Sequence, residues 1–319
     1  MSESVAEFLA TEHPTAFSFE ILPPVRGKSI ESTYRNIERL LDFAPAYINI
    51  TTHRNEVSYR PTPDGGFVAV SNRRRPGTVA VAAALRERYH VRAVPHLICG
   101  DFSRSEIEDQ LIDLSYLGIT DLLVLRGDRP KNSHIFTSHA DGHTHAAELA
   151  AQVTRFNRGV MADGSESDPL TVPFTFGVAG YPEKHEEAMN LNVDLDHLKA
   201  KVDAGASYIV TQMIFDNAKF FNFVDACRSR GITVPIIPGL KPLTSLRQLS
   251  MLPRIFHIDL PDELARELRR CTDDTQVKQV GVEWAVSQAS ELKESGVPSI
   301  HFYAMSAVES VASIARRIY

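Results

Sequence analysis

Short apolar segments alternate with longer amphipathic segments along nearly the whole chain. The short segments are rich in β-branched and aromatic residues, which favours strands. Between them, apolar residues recur at helical spacing, as Ile107, Leu111 and Leu114 do within residues 103–118. The predicted strands span residues 16–22, 46–51, 91–98, 120–126, 173–179, 207–212, 233–239 and 299–305.

Eight strands that alternate with helices predict an α/β fold, a closed parallel (β/α)8 TIM barrel that forms a single domain over residues 1–319. An open doubly wound sheet is the alternative, and it would bind its ligand where the strand order reverses. No GxGxxG motif and no Walker loop follows any predicted strand, which argues against nucleotide sites of those two kinds.

Two polar segments interrupt this alternation. Residues 53–76 contain a PDGG turn between short β-like runs, which predicts a hairpin inserted after strand two. Arg73, Arg74 and Arg75 close this segment, either as solvated loop residues or as a lid that contacts a phosphate or a glutamate tail. Residues 156–172 are rich in glycine, serine and aspartate, and we expect a surface loop there.

The first strand carries a carboxyl on its inner face. Ser18 and Glu20 alternate with aromatic and aliphatic neighbours, so both point to the opposite side from them. In a β/α barrel, polar side chains near the carboxyl ends of the strands line the site of chemistry. Glu20 is therefore either half of a structural salt bridge or an acid whose pKa burial raises, so that it holds a proton near neutrality.

Polar residues recur at the ends of the other predicted strands. Each of them alone is compatible with a hydrogen-bonded core group. Together, in one layer of a barrel, they predict a polar cavity at its mouth. They are Asn49, Thr51, Thr52, His96, Arg126, Gly127, Asp128, Tyr181, Thr211 and Gln212.

Composition excludes several classes of protein. A net charge of -6 argues against a nucleic-acid-binding surface. No apolar run is long enough to cross a bilayer, and the acidic start lacks the pattern of a signal peptide. Three scattered cysteines suit reduced thiols, so we expect a cytoplasmic protein.

A histidine-rich segment raises the alternative of a metal site. His139, Asp141, His143 and His145 crowd one stretch, and His185 and His197 follow downstream. Zinc accepts such ligands, but this stretch precedes a helix and lacks the HExxH spacing that places two ligands on one helix face. We therefore predict no metal site.

Several sequence segments occur in the order seen in one enzyme family. They are FSFEILPP, PHLICGDFS, LVLRGDRP, VAGYPEKHEEA, LDHLKAKVDAGASYIVTQMIFD, IIPGLKP and HFYAMS. From about residue 14 to residue 310 the chain resembles the methylenetetrahydrofolate reductases, and it looks like their short, bacterial-type catalytic form. The resemblance implies an FAD-containing barrel that passes a hydride from NADH or NADPH to the flavin and then, by ping-pong kinetics, to 5,10-methylenetetrahydrofolate. The product would be 5-methyltetrahydrofolate, which serves methionine biosynthesis.

The resemblance also implies roles for individual residues. Glu20 matches the acid that protonates the folate, Asp128 the carboxylate that stabilises the resulting cation, and Gln212 an amide that contacts pterin and nicotinamide. Gln248 matches a second folate contact. The positions that match FAD contacts are Thr51, His96, Arg126, Gly127, Asp128, Ala146, Tyr181, His185, Asp194 and Lys201. Asp194 is alternatively only the N-cap of its helix.

The chain departs from the family pattern at five positions. Ala200 replaces a basic residue near the FAD phosphates, and Leu252 replaces an aromatic that packs on the nicotinamide. The other departures are His145, His197 and Ala307. These changes leave open two other functions, a pterin-dependent methyltransferase barrel and a flavin-free partner subunit. By resemblance the partners are small molecules and further copies of the chain, while the choice of NADH or NADPH stays open.

Overall fold

A computed structural model describes residues 3–130, 133, 135–305 and 307–319. Eight parallel strands within these residues close into a barrel, so the predicted (β/α)8 fold is confirmed and the open doubly wound sheet was wrong. The barrel strands are β1 (Ala16–Ile21), β2 (Tyr47–Ile50), β5 (Ala93–Ile98), β6 (Asp121–Leu125), β7 (Thr175–Gly180), β8 (Tyr208–Met213), β9 (Ile236–Leu240) and β10 (Ser299–Phe302). Around the barrel they follow the order β1, β10, β9, β8, β7, β6, β5, β2.

Helices follow the barrel strands and cover the outside of the barrel. They are α2 (Glu31–Leu41), α3 (Thr78–Tyr89), α4 (Arg104–Tyr116), α5 (Ala146–Asn157), α6 (Leu191–Asp203), α7 (Asn217–Ser229), α8 (Gln248–Phe256), α9 (Asp262–Arg270), α10 (Asp274–Glu294) and α11 (Val308–Ile318). Helix α4 shows why such segments are helical: Ser103 and Glu106 form a capping box, and Ile107, Leu111 and Leu114 bury one face. None of the helices in the described residues is long and apolar enough to span a membrane.

The insertion after β2 forms the predicted hairpin. Strands β3 (Glu56–Pro61) and β4 (Phe67–Asn72) pair antiparallel as a separate two-stranded sheet. Its apolar side chains Tyr59 and Phe67 are about 70% exposed, so the hairpin stands away from the barrel. The predicted loop at residues 156–172 is confirmed from residue 158, because helix α5 extends to Asn157, and it contains one isolated β-bridge.

Two of the three arginines after β4 hold the base of the hairpin. Arg74 forms an ion pair with Glu56 at 2.6 Å. Arg75 donates a hydrogen bond to the carbonyl oxygen of Pro23, just beyond β1. These contacts give both side chains a structural use at the junction of hairpin and barrel.

A short N-terminal helix closes the amino-terminal end of the barrel. Helix α1 (Val5–Ala10) buries Val5 and Leu9 in one cluster with Tyr47 and Tyr208, the first residues of β2 and β8. The backbone N–H of Val5 donates to the buried carboxylate of Asp121 at 2.8 Å. The barrel is thus plugged at the end opposite the carboxyl ends of its strands.

Candidate active site

Glu20 is buried at the mouth of the barrel, as alternation along β1 predicts. Its side chain is only 6% exposed, and it lies beside Asn49 of β2 in the strand register. Burial raises the pKa of Glu20 to about 8, the charge of Lys241 opposes that rise, and the carboxylate of Asp128 adds to it. A carboxyl with this pKa is protonated at neutral pH, so Glu20 is able to act as a general acid.

Two residues at the mouth were not singled out from the sequence. Lys241 follows β9 and is 6% exposed. Tyr303 follows β10 and donates its hydroxyl to the carbonyl oxygen of Thr211 at 2.6 Å. The alternation that places Glu20 also places them, because Gly239 and His301 precede them by two residues on the inner face.

A layer of neutral polar side chains lies deeper in the barrel. Burial lowers the pKa of His96 and of His301 to about 3, so both imidazoles are neutral near pH 7. The Nδ1 of His301 lies 3.0 Å from the hydroxyl of Ser18. The Nε2 atoms of both histidines and both amide atoms of Asn49 are buried with no hydrogen-bond partner in the described structure. Buried polar atoms of this kind usually find a partner in water or a ligand.

Asp128 and Gln212 reach the same end of the barrel from other strands. Asp128 is exposed on the loop after β6, and Gly127 before it has a φ of +85° that favours glycine. Gln212 lies in β8, and its side-chain oxygen accepts the N–H of Met213 at 2.9 Å. Asp128 lies close enough to Glu20 to raise the pKa of that carboxyl.

A second cluster lies beside β7 and contains five of the predicted cofactor residues. The ammonium of Lys201 lies 5.7 Å from the ring centroid of Tyr181. The imidazole of His185 packs against the same tyrosine in a T-shaped contact, with 4.8 Å between the ring centroids. The carboxylate of Asp194 accepts the backbone N–H of His185 at 2.9 Å. Arg126 forms an ion pair with Glu187 at the edge of this cluster.

The two cations of this cluster differ in accessibility. Burial lowers the pKa of Lys201 to about 8, and its ammonium donates to the carbonyl oxygen of Ala179 at 2.5 Å. Arg126 is 18% exposed, and its partner Glu187 is half-exposed.

Helix α6 begins at Leu191 with Asn190 as its N-cap, so the alternative that Asp194 is that cap was wrong.

The remaining predicted contacts lie on other elements. Thr51 is buried after β2, with its hydroxyl 3.3 Å from Nε2 of His53. Ala146 is the first residue of α5. Gln248, the first residue of α8, accepts the N–H of Thr244 at 2.7 Å, which occupies its side-chain oxygen.

The five departures from the family pattern have different surroundings. Leu252 is 1% exposed and packs in an apolar cluster with Met213. Ala200, His197 and His145 are exposed. Ala307 is buried just before α11 and follows Ser306, which lies outside the described residues.

A clamp beside the mouth was also missed from the sequence. The guanidinium of Arg54 donates through Nε to the carboxylate of Asp101 at 2.9 Å and through Nη1 to the carbonyl oxygen of Asp128 at 3.3 Å. The ring centroid of Phe136 lies 5.4 Å from the guanidinium of Arg54 and 4.6 Å from that of Arg126. These contacts order the loop that carries Asp128.

The histidine-rich segment is held by hydrogen bonds. His143 is buried, and its Nε2 lies 2.6 Å from the side-chain oxygen of Gln152. Glu148 accepts the backbone N–H groups of Thr144 and His145 at the start of α5. Across the described residues, no group of three or more His, Cys, Asp or Glu side chains is arranged to hold a metal ion.

Known proteins resemble this chain over nearly its whole length. Methylenetetrahydrofolate reductase (NADH) 1 of Arabidopsis thaliana is 29% identical over 94% of this chain and 48% of its own length. The 5,10-methylenetetrahydrofolate reductase of Salmonella typhimurium is 29% identical over 92% of this chain and 86% of its own length. This chain therefore spans about half the length of the plant relative and most of the bacterial one.

Solved structures of other proteins share the barrel. An uncharacterized protein from Clostridium thermocellum, described as binding two copies of 5-methyl-5,6,7,8-tetrahydrofolic acid, matches with a TM-score of 0.55 at 14% identity. The match covers 97% of this chain and 96% of that one. At this identity the likeness shows the fold alone.

The sequence match to a family is more specific than the shared fold. The family model described as methylenetetrahydrofolate reductase matches residues 5–319. That range contains the whole barrel and both clusters of polar residues at its mouth. The chain belongs to the methylenetetrahydrofolate reductase family.

Proposed function

We propose that this protein is a flavin-dependent oxidoreductase that reduces 5,10-methylenetetrahydrofolate to 5-methyltetrahydrofolate with NADH or NADPH. The observation that carries the proposal is Glu20, a buried carboxyl whose pKa is raised to about 8 at the mouth of a barrel. Family membership supports the reaction, since the relatives are named as reductases that use NADH or NADPH. The folate ligand of the Clostridium thermocellum barrel fits the same substrate class.

Glu20 supplies the proton in this proposal. It protonates a nitrogen of the folate, so that the five-membered ring opens to an iminium cation. The carboxylate of Asp128, which lies near Glu20, then stabilises that cation electrostatically. Gln212 offers an amide to the pterin and, in the other half-reaction, to the nicotinamide. Gln248 is the second folate contact.

The cluster beside β7 fits FAD. Arg126 and Lys201 provide two cations for a diphosphate, and Tyr181 provides an aromatic surface beside them. Deeper in the barrel, the unpartnered Nε2 of His96 is suited to a hydrogen bond with a ligand. When bound, FAD supplies the hydride carrier between nicotinamide and folate, which gives ping-pong kinetics. The other proposed contacts are Thr51, Gly127, Asp128, Ala146, His185 and Asp194.

One observation favours a second candidate, a flavin-free family member that acts as a partner subunit. The ammonium of Lys201 already donates to the carbonyl oxygen of Ala179, and Ala200 beside it carries no charge. A methyltransferase barrel, in contrast, leaves the raised pKa of Glu20 without a use.

The absorbance spectrum of the purified protein separates these functions. The reductase is expected to be yellow, to bleach on addition of NADH or NADPH, and to regain its colour with methylenetetrahydrofolate. A colourless protein that takes up no added FAD and oxidises no NAD(P)H would contradict the proposal and favour the partner subunit.

The variant Glu20→Gln tests the acid. It is expected to abolish folate reduction while flavin reduction by NAD(P)H stays within a few-fold of wild type, because only the folate half-reaction needs the proton. Stopped-flow measurement of the two half-reactions checks this. Asp121→Asn is a matched control, since Asp121 is a buried acid at the closed end of the barrel. Loss of both half-reactions together in Glu20→Gln would make Glu20 structural.

We further propose that residues 1–319 act as one domain in the cytoplasm and assemble into a homo-oligomer that serves methionine biosynthesis. The proposal includes neither a metal site nor a nucleic-acid partner. Light scattering of the purified protein gives the assembly state, and a monomer at micromolar concentration would contradict that part.

A further inference from the structure

A buried lysine at the mouth of the barrel has no role in the chemistry proposed above. Lys241 is 6% exposed at the end of β9. Among the described residues, its Nζ donates one hydrogen bond, to the carbonyl oxygen of Tyr303 at a long 3.4 Å. An ammonium group has three donors and is rarely buried unless a charge lies nearby. The surroundings of Lys241 should therefore contain an anion.

The strand register places that anion. Strands β1, β10 and β9 are neighbours, and Phe302 pairs with both Phe19 and Leu240. The residues that directly follow these three paired residues form one row at the mouth, and their side chains lie on the inner face. The residues of this row are Glu20, Lys241 and Tyr303. Lys241 and Glu20 thus lie on the two sides of one tyrosine.

The other groups that face Glu20 bring no positive charge. Asp128, on the loop after β6, is a second carboxylate. Tyr303, on β10, is a phenol whose hydroxyl is held by the carbonyl oxygen of Thr211. Asn49 of β2 is uncharged, and the two histidines below are neutral. Within the described residues, Lys241 is the cation that acts on Glu20.

We propose that Lys241 is a positioning residue, the buried counter-charge that holds the carboxylate of Glu20 once that carboxyl has given its proton to the substrate. The proton leaves an Oε atom of Glu20 for a folate nitrogen, and the negative charge left on the carboxylate faces the ammonium of Lys241. Without this ammonium, the carboxylate would be left buried beside Asp128, which burial and like charge both disfavour. Lys241 acts through Glu20.

Titration of the Glu20 carboxyl tests the pairing directly. The probe is ¹³C NMR of protein labelled at the glutamate side-chain carboxyl, with Glu20→Gln to assign the signal. In Lys241→Met the midpoint is expected to rise by roughly one pH unit or more, because the opposing charge is gone. A midpoint that stays the same or falls would overturn the proposal.

A lysine at the other end of the barrel provides the control. Lys293 donates to the carbonyl oxygen of Ile318 and lies 5.3 Å from the ring centroid of Tyr319. The hydroxyl of Tyr319 donates a hydrogen bond to the carbonyl oxygen of Ala16, the first residue of β1. Lys293 therefore lies at the opposite end of β1 from Glu20. Lys293→Met is expected to leave the Glu20 midpoint unchanged.

A reciprocal measurement keeps the test decisive if Lys241→Met does not fold. The coupling of two charges is mutual, so Glu20→Gln should lower the titration midpoint of Lys241, followed by the ¹³Cε signal of labelled lysine. Lys241→Arg, which keeps the charge, assigns that signal and should retain a wild-type Glu20 midpoint. An unchanged Lys241 midpoint in Glu20→Gln would overturn the pairing.

The inference rests on the proposed acid role of Glu20, and a pH profile separates the two. If Glu20 is the acid, the folate half-reaction slows as pH rises through its pKa, and in Lys241→Met this decline moves to higher pH by the same shift as the NMR midpoint. The titration itself needs no substrate. A shifted NMR midpoint without any folate reduction would leave the pairing standing and refute the proposed reaction alone.

Discussion

Gly127 sets the direction of the loop that carries Asp128. Its φ of +85° lies in the region that favours glycine, and an added Cβ would lie 3.1 Å from Cβ of Ile98. A side chain at such a φ costs roughly 1–2 kcal/mol, and the close approach to Ile98 adds to this. The loop after β6 is thus fixed by backbone conformation as well as by the arginine clamp.

Gly127→Ala is expected to destabilise the fold by more than that conformational cost and to slow folate reduction, because Asp128 shifts. Urea unfolding and the folate half-reaction rate check the two effects. Gly164→Ala is the matched control, since Gly164 has a φ of +87° and no atom within 4 Å of an added Cβ. Equal loss of unfolding free energy in both variants would mean that Ile98 plays no part.

At the scale of residues, alternation along β1 predicted that Glu20 is buried inside the mouth of the barrel. The same rule applied to β9 and β10 would have found Lys241 and Tyr303. Lys241 was missed because it lies between Leu240 and Pro242, where the sequence looks like an apolar strand end. Arg54 contacts Asp101 and Asp128, 47 and 74 residues further along the chain, and Arg126 pairs with Glu187, 61 residues further along. Local sequence patterns do not encode contacts over such separations.

Among the elements, the hairpin forms a separate two-stranded sheet, and we expect it to contribute little to the stability of the barrel. An isolated two-stranded sheet is marginally stable in water. Replacement of residues 57–71 by a short Gly/Ser linker is therefore expected to leave the thermal midpoint within a few degrees of wild type. Scanning calorimetry measures this, and Arg75→Ala, which removes the contact with Pro23, should lower the midpoint more. The reverse order would show that the hairpin itself stabilises the barrel.

The barrel strands were predictable because apolar and amphipathic segments alternate along nearly the whole chain. The hairpin was predictable because a PDGG turn separates its two β-like runs. Helix α1 was not predicted, because six residues show too little of a helical period. Its role depends on contacts with strands far along the chain, such as that of Val5 with Asp121. Asp194, the alternative N-cap of α6, lies four residues after Asn190, which caps the helix.

For the whole molecule, the buried ionisable groups predict how stability depends on pH. The pKa of Glu20 is raised in the folded state, so its contribution is present below pH 4.5 and is lost as pH rises through about 8. The pKa values of His96 and His301 are lowered, so their contribution is present above pH 6.5 and is lost as pH falls towards 3. These three groups place the maximum of stability near pH 6.5.

Urea unfolding across pH is expected to show the steepest change in stability below pH 4.5, where of these three groups the two histidines contribute roughly 1.4 kcal/mol per pH unit each and Glu20 does not oppose them. Glu20→Gln should flatten the alkaline branch, because the amide does not ionise. Glu38→Gln, on the exposed face of α2, should leave that branch unchanged. An alkaline branch of unchanged slope in Glu20→Gln would show that other groups control it.

Helix α1 closes one end of the barrel, so the barrel has a single opening, at the carboxyl ends of its strands. Whatever reacts beside Glu20 must enter and leave at the carboxyl ends of the strands, past Asp128 and the loop that Arg54 holds. Under the proposed function, the oxidised nicotinamide would have to leave through this opening before the folate enters. In a site with a single entrance, an excess of either substrate should slow the binding of the other. Substrate exchange should then limit turnover as much as the chemical steps do.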